Sequence, residues 1–376
     1  MARIYADLTE LVGHTPLVRV GALSAEHLHA RVLVKLESQN PGFSVKDRTA
    51  LAIVRAAEAD GRLRPGGTIL EATSGNTGIA FAWIGAVLGY RVVIVMPDDV
   101  SSERAAVLRA LGAEVIFTPG TEGMAGANQH ANAMVEADPD LFLSGQGGNP
   151  ANPHVHETTT GPEIWADTDG QVDVLVATTG TGGTISGAGR YLRTKNPRVQ
   201  LFGVEPAEAA VLNGQEWHPH KIQGITGGNG VPPVTDLDLL DGVLQVPQDE
   251  AIEVARTAFR TEGLIVGVSS APPCTPRCNW PGARSTPGAR SWRFCPTPAS
   301  ATSPPNCSTT CAGSGLRRGC ATASATAARP TPGSPPRRCR AHRPAGPTTY
   351  RPEHRRRCGS GPEFGHGVAI CDGVTR

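Results

Sequence analysis

Near-continuous apolar runs of six or seven residues recur along the first two thirds of the chain, most followed by a stretch with helical spacing. Arg31–Glu37 (RVLVKLE), Thr68–Thr73 (TILEAT), Arg91–Pro97 (RVVIVMP), Glu114–Pro119 (EVIFTP), Asp173–Thr178 (DVLVAT) and Gln200–Glu205 (QLFGVE) read as strands. Helices are predicted over Val45–Ala59, closed by Gly61, and over Thr77–Leu88, closed by Gly89. Others run from about Ser102 to Leu111, near Met124–Glu136, and from about Thr184. Strands that are apolar on both faces and alternate with helices imply parallel sheets covered on both sides, an α/β fold of two lobes. From about Ser144 to Gly170 the alternation breaks into Gly, Pro, Asn and Thr, which predicts a passage between the lobes with a ligand cleft beside it.

After Gly267-Val268-Ser269-Ser270 the pattern stops. Residues 1–270 carry 19 basic and 31 acidic side chains; residues 271–376 carry 16 arginines, no lysine and 3 acids. All nine cysteines and 17 of the 32 prolines also fall after Ser270, with only six Ile, Leu, Val, Met or Phe residues. Such a segment cannot bury enough apolar surface to offset chain entropy, so 271–376 is expected to be a disordered tail. An odd cysteine count at irregular spacing argues against a disulfide framework. The pairs Cys274/Cys278 and Cys307/Cys311 lack a matching Cys/His constellation, so no metal centre is expected. Arginine without lysine is unlike a nucleic-acid-binding arm, and no nucleic-acid partner is expected. There is no leader and no apolar run of about 18 residues, so no membrane partner is expected and the cytoplasm is the expected compartment.

Three loops at or beside strand ends carry candidate chemistry. In Asn40–Arg48 (NPGFSVKDR), Lys46 stands at a helix start. The positive end of a helix is a poor partner for an ammonium, which favours the free amine that Schiff-base chemistry needs. A solvated lysine beside Asp47 is the bland alternative. Thr73-Ser74-Gly75-Asn76-Thr77 offers hydroxyls and amides at a helix N-terminus, suited to a carboxylate, or simply a capped helix. Gly180-Thr181-Gly182-Gly183-Thr184 lets backbone amides converge on an anion, for which phosphate is the natural guest. A dinucleotide site, with Glu205 about twenty residues on, would need a third glycine where Ile185 stands. A Walker loop fails for want of GK[ST]. A Schiff-base lysine, a carboxylate loop and a phosphate cup together describe pyridoxal 5'-phosphate with an amino-acid substrate.

Ordered motifs extend this reading: GHTPLVR (Gly13–Arg19), NPGFSVKDR, EATSGNTGIA, MPDDVSSER, NPANPHVHETTTGPEIW, GTGGT, HKIQGI (His220–Ile225) and GVSS. From about Tyr5 to Ser270 the chain resembles the cysteine synthases (O-acetylserine sulfhydrylases), fold-type-II pyridoxal-phosphate enzymes of the tryptophan-synthase-β-like class. The resemblance implies a smaller lobe of about 46–149 and a larger one from 1–45 plus 150–270. It also implies a homodimer, and β-replacement of O-acetyl-L-serine by sulfide through an aminoacrylate to give L-cysteine and acetate. Lys46 would carry the cofactor and move the proton at the substrate α-carbon. Asn76 would bond the ring hydroxyl, Ser269 would face the pyridine nitrogen, and Gly180, Thr181, Gly182, Gly183 and Thr184 would bind the phosphate. Thr73, Ser74, Gly75, Thr77 and Gln146 would hold the substrate carboxylate. A neutral serine facing the ring keeps it a weaker electron sink than an aspartate would, which suits β-elimination.

Two departures bear on the acceptor. The family usually has an aromatic residue directly after the carboxylate-binding glutamine, where this chain has Gly147. It commonly has I-G-A-G-F where this chain reads Ile225-Thr226-Gly227-Gly228-Asn229. Losing two aromatics widens the pocket, so another β-replacement, such as cystathionine β-synthase activity, is the alternative.

The junction has its own reading. One base restored after Ser270 turns Ala271–Cys278 into G-A-A-V-H-A-A-L, and the same shift at Arg293–Ser303 permits V-L-P-D-S-G-E-R-Y-L, a family motif. The tail thus reads as a frameshift that truncates the larger lobe, with an inactive relic as the alternative outcome.

Overall fold

The computed structural model describes residues 4–21, 31–226, 230–270 and the backbone of 366–371. All of them belong to one compact unit formed by Met1–Trp292 and Glu363–Arg376. In chain order the first elements are β1 (Leu17–Arg19), β2 (Arg31–Leu36), α1 (Lys46–Ala59), β3 (Thr68–Ala72), α2 (Asn76–Leu88) and β4 (Arg91–Pro97). Next come α3 (Ser102–Ala110), β5 (Glu114–Thr118), α4 (Gly123–Ala137), β6 (Leu141–Leu143), α5 (Ala151–Val155) and α6 (Gly161–Asp167). The remainder are β7 (Val174–Thr178), α7 (Gly183–Lys195), β8 (Gln200–Pro206), β9 (Gly242–Val246), α8 (Gln248–Thr257) and β10 (His366–Cys371).

The strands form two sheets. One has four strands in the order β5-β4-β3-β6, all parallel. The other has six, β1-β2-β10-β7-β8-β9, parallel except for the antiparallel β1–β2 pair. Helices cover the smaller sheet, as its doubly apolar strands require. α2 is buried along most of its length from Thr77 to Gly85, and packs with α1 on β3 and β4 around Ile53, Phe81, Ile84 and Ile94. Gly89, in the left-handed region at φ 79°, ends that helix. In the larger sheet Leu175, Ile185, Leu192 and Leu201 close a second core between β7, β8 and α7.

The alternation predicted from the sequence matches the strands and helices from β2 to β8 to within two residues. Short β1 and β6, and β9 with α8, add elements that the apolar pattern does not mark. The breakpoint is the stretch from 144 to 170, which is largely helical. α5 passes through a π turn at His156–Thr160 directly into α6.

The cysteine pairs, the frameshifted motifs and the expected disordered tail of 271–376 lie outside the described residues, save for 366–371, where the backbone forms a strand instead. That strand, His366–Cys371, lies between β2 and β7. His366 pairs with Arg31 through to Cys371 with Leu36, and Gly367 to Ala369 pair with Val174 to Val176. The larger sheet is therefore continuous from β2 through β10 to β7. G-V-A-I-C is an apolar run of strand length, which is what a central position takes. Val368→Pro is expected to lower stability by on the order of 3 kcal/mol, because proline in a central strand loses a ladder bond and clashes. Urea unfolding checks this; an unchanged midpoint would mean that the strand does not hold the sheet.

Candidate active site

α1 begins at Lys46 because the chain turns sharply through Asn40–Val45 just before it. Asp47 Oδ2 accepts from Gly42 N at 2.5 Å and its Oδ1 from Trp83 Nε1 at 3.0 Å, tying the turn to α2. A Cβ at Gly42 would lie 2.5 Å from Trp83 Nε1, so only glycine fits the turn. Asp47 is thus buried structure rather than the partner of a solvated lysine. Among the described residues Lys46 Nζ has no hydrogen-bond or ion-pair partner, and Lys46 lines a cavity of about 490 Å³.

Two residues further on, Arg48 is almost fully buried between two carboxylates. Its Nε and Nη2 donate to Glu37 at 2.8 and 3.0 Å, and Nη1 and Nη2 to Glu163 at 2.7 Å each. Lys35 Nζ closes the cluster on Glu163 Oε2 at 2.9 Å and on the Thr15 carbonyl at 2.7 Å. Burial alone would raise the Glu163 carboxyl, but the Arg48 bonds and charge, with Lys35, hold it down to about 2. This cluster joins the start of α1 to β2 and α6.

The 73–77 loop leaves β3 and starts α2 at Asn76. Thr77 Oγ1 donates to Gln146 Oε1 at 3.0 Å, and Gln146 Nε2 donates to Glu71 Oε1 at 3.1 Å. Glu71 also accepts from Ser144 Oγ and from Gly145 N at 3.2 Å. Burial pushes this carboxyl up to about 7, against the bonds from Ser144, Gly145 and Gln146. The folded chain thus keeps a proton that the unfolded chain releases near its ordinary value of 4.5. Stability contributed by this group falls as pH rises from about 4.5 to about 7 and is flat above. Glu71→Gln is expected to remove that slope, while its NH2, set against the Gly145 or Gln146 donors, costs about 1–3 kcal/mol at either pH. Urea unfolding at pH 5 and pH 8 measures it; a slope that persisted in the variant would belong to another group.

The 180–184 loop follows β7 and leads into α7. Gly182 takes φ 74° as the cap of that helix, a left-handed turn that glycine allows without strain. The loop packs against the 220–226 segment, where a Cβ at Gly180 would lie 2.6 Å from Gly224 O. Asn152 Nδ2 donates to Thr181 Oγ1 at 3.0 Å, and His156 Nε2 lies 3.2 Å from Thr184 Oγ1. Glu205, the rival dinucleotide acid, is buried and accepts from Leu212 N at 2.8 Å and Asn213 N at 3.2 Å. It braces a turn instead.

The residues assigned to the cofactor and to the substrate carboxylate line the same cavity: Lys46, the 73–77 loop, Gln146, the 180–184 loop and Ser269. Gly147 lines it too; Asn229 lies outside the described residues. Arg104, Glu71 and Gln223 share the cavity wall without having been marked. Arg104 donates to Ser74 O and to Gln223 Oε1, linking the carboxylate loop to the 220–225 segment. The cavity places an uncommitted lysine Nζ and a donor-rich helix N-terminus around a space large enough for a substituted pyridine and an amino acid, so the donor set fits pyridoxal phosphate.

Residues 8–273 match the family model described as pyridoxal-phosphate dependent enzyme. Cysteine synthase A of Salmonella typhi is 46% identical over 279 residues, covering 72% of this chain and 85% of that protein. The crystal structure of cysteine synthase from Entamoeba histolytica superposes with a TM-score of 0.69 at 43% identity, covering 72% of this chain and 80% of that one. An O-ureido-L-serine synthase structure gives the same TM-score at 41% identity, covering 72% and 84%.

Proposed function

Since the chain belongs to the pyridoxal-phosphate dependent enzymes, we propose that it replaces the acetoxy group of O-acetyl-L-serine with sulfide, giving L-cysteine and acetate. The observation that carries this reading is the single cavity in which Lys46, the 73–77 loop with Gln146, the 180–184 loop and Ser269 meet. Pyridoxal phosphate supplies the electron sink that makes the substrate α-proton acidic and the β-substituent a leaving group.

The chain's own residues do the rest. Lys46 would hold the cofactor through Nζ, and the same amine would serve as the base at the substrate α-carbon. Asn76 would bond the ring hydroxyl, and a neutral Ser269 would face the ring nitrogen without forcing a positive charge there. The 180–184 loop grips the phosphate with amides at the α7 N-terminus. Thr73, Ser74, Gly75, Thr77 and Gln146 orient the substrate carboxylate, which sets the α-hydrogen toward the lysine. The family resemblance also supports a cytoplasmic homodimer. Among the described residues no helix is long and apolar enough to cross a membrane.

The test incubates the full chain with pyridoxal phosphate, O-acetyl-L-serine and sulfide, and measures cysteine. No cysteine from a chain that binds the cofactor would sink the sulfide assignment.

One observation favours a second reading, an acceptor larger than sulfide. Among the described residues a Cβ at Gly147 would meet only Pro232 Cβ, at 3.9 Å, so none of them fills the space beside the carboxylate glutamine. The similar O-ureido-L-serine synthase shows that the fold is used for other products. Gly147→Phe is expected to refill that space and shift the kcat/KM ratio of sulfide to a bulky thiol toward sulfide by about tenfold, the scale of one lost apolar contact. An unchanged ratio would place the acceptor elsewhere.

A further inference from the structure

We infer that Asn152 and His156, carried on one face of the helical segment 151–160, are positioning residues that turn the hydroxyls of Thr181 and Thr184 into donors aimed at the cofactor phosphate. The inference rests on the reading above that the 180–184 loop holds that phosphate.

The orientation of Asn152 is settled by its neighbours. Its Nδ2 donates to Gln146 O at 2.9 Å and to Thr181 Oγ1 at 3.0 Å, while its Oδ1 accepts from Thr49 Oγ1 at 3.3 Å. Reversing the amide would put an acceptor against a carbonyl. Gly183 N donates to the same Thr181 oxygen at 3.4 Å. With its lone pairs taken, the Thr181 hydroxyl offers only its proton to the loop.

His156 does the same for Thr184 through its tautomer. The imidazole is buried, with Nδ1 at 2.9 Å from Thr160 Oγ1 and Nε2 at 3.2 Å from Thr184 Oγ1. Burial, then the charges of Arg48 and Lys46, hold it neutral well below its usual range, against an opposing pull from Glu163. A neutral ring has one N–H, and the bond at the other nitrogen decides which. Thr158 and Thr159 donate to the carbonyls of His154 and Val155, whereas the hydroxyl of the fully buried Thr160 has no other partner among the described residues. Its proton therefore goes to Nδ1. Nε2 then carries the hydrogen and donates to Thr184, whose own proton is left for the phosphate.

Two features bring these side chains under the loop. The π turn at His156–Thr160 sets the ring against Thr160, and π turns recur where a helix must aim a functional side chain. On α7, a Cβ at Gly183 would strike the Asn152 side chain, and one at Gly187 would strike Pro153 O and lie 2.8 Å from His156 Cβ. Only glycine at both positions lets the two helices approach this closely. A loop made only of donors selects a fully ionised phosphate, since a protonated one would waste a bond.

The holoenzyme with 15N-labelled histidine is the first test. The resonance lost in His156→Asn should belong to an Nε2–H tautomer that does not titrate between pH 6 and 8. A ring protonated on Nδ1, or titrating in that window, overturns the inference. Second, the 31P signal of bound cofactor should be pH-independent in the wild type. In His156→Asn and Thr160→Val it should shift, with cofactor affinity down about tenfold, the scale of one hydrogen bond. Thr160→Ser should restore both readouts. If His156→Asn does not fold, the Thr160 pair decides. Thr184→Val separates the two readings. If it leaves affinity and the 31P signal unchanged, the loop does not hold the phosphate. If it alters them while the His156 and Thr160 variants do not, the loop reading stands and this inference fails.

Discussion

Lys46→Ala is expected to abolish the visible absorbance of protein-bound pyridoxal phosphate and to cut turnover by at least 10²–10⁴-fold, roughly the worth of a positioned general base. Lys46 is the one primary amine among the described residues lining the cavity, and its Nζ is uncommitted. It sits at the first position of α1, held there by the Asp47 bonds to Gly42 and Trp83. Because those bonds do not involve the lysine side chain, the variant should fold and unfold like the wild type. Absorbance spectra after dialysis, cysteine assays and urea unfolding together check this. A variant that kept both the band and the turnover would mean that another amine carries the cofactor.

The largest effect on stability is expected two residues further along α1. Arg48→Met should destabilise the chain by about 3–5 kcal/mol, the usual cost of removing one partner from a buried ion pair. Glu37 is fully buried and Glu163 nearly so, and both lose their main counter-charge. Lys35 remains for Glu163, so the loss should fall mostly on Glu37. The sign of the pH dependence is also fixed. Glu163 is held down to about 2 in the folded chain, so it stabilises above its ordinary 4.5 and that share is lost as pH falls toward 2. In Arg48→Met the loss of stability below pH 5 should be shallower. Urea midpoints at pH 7 and pH 3.5 measure both. A cost under 1 kcal/mol would show that the cluster relaxes or admits water.

The strands and helices between β2 and β8 could be read from the chain because each is a local apolar run with its own stop, such as Gly89 after α2. Lys46, the 73–77 loop and the 180–184 loop were readable for a related reason. Each combines a residue type and a helix start within a few positions, and one cavity unites them. The segment from 151 to 167 was not readable. Two prolines, a glycine and three consecutive threonines argue against helix by propensity. What favours it is the glycine face of α7, some 30 residues away, against which it packs. Asn152 and His156 were hidden with it, since a lone Asn or His in such a stretch carries no period. Glu71 and Arg104 escaped notice because their partners, Gln146 and Gln223, are each more than 70 residues distant.

The place of β10 bears on how the chain reaches its folded state. His366 lies opposite Arg31, roughly 330 residues away, and the strand stands between β2 and β7. Pairings of such sequence separation are slow, since the closure entropy of the loop comes before any reward. During synthesis at about 5–20 residues per second, some 10–40 s pass between completion of β7 and arrival of β10. For that interval β2 and β7 each present an unpaired apolar edge, the kind that recruits strands from neighbouring chains. Yield from expression should therefore rise with slower initiation or added chaperone more than with any change in the cavity, and aggregates should form from nascent rather than finished chains.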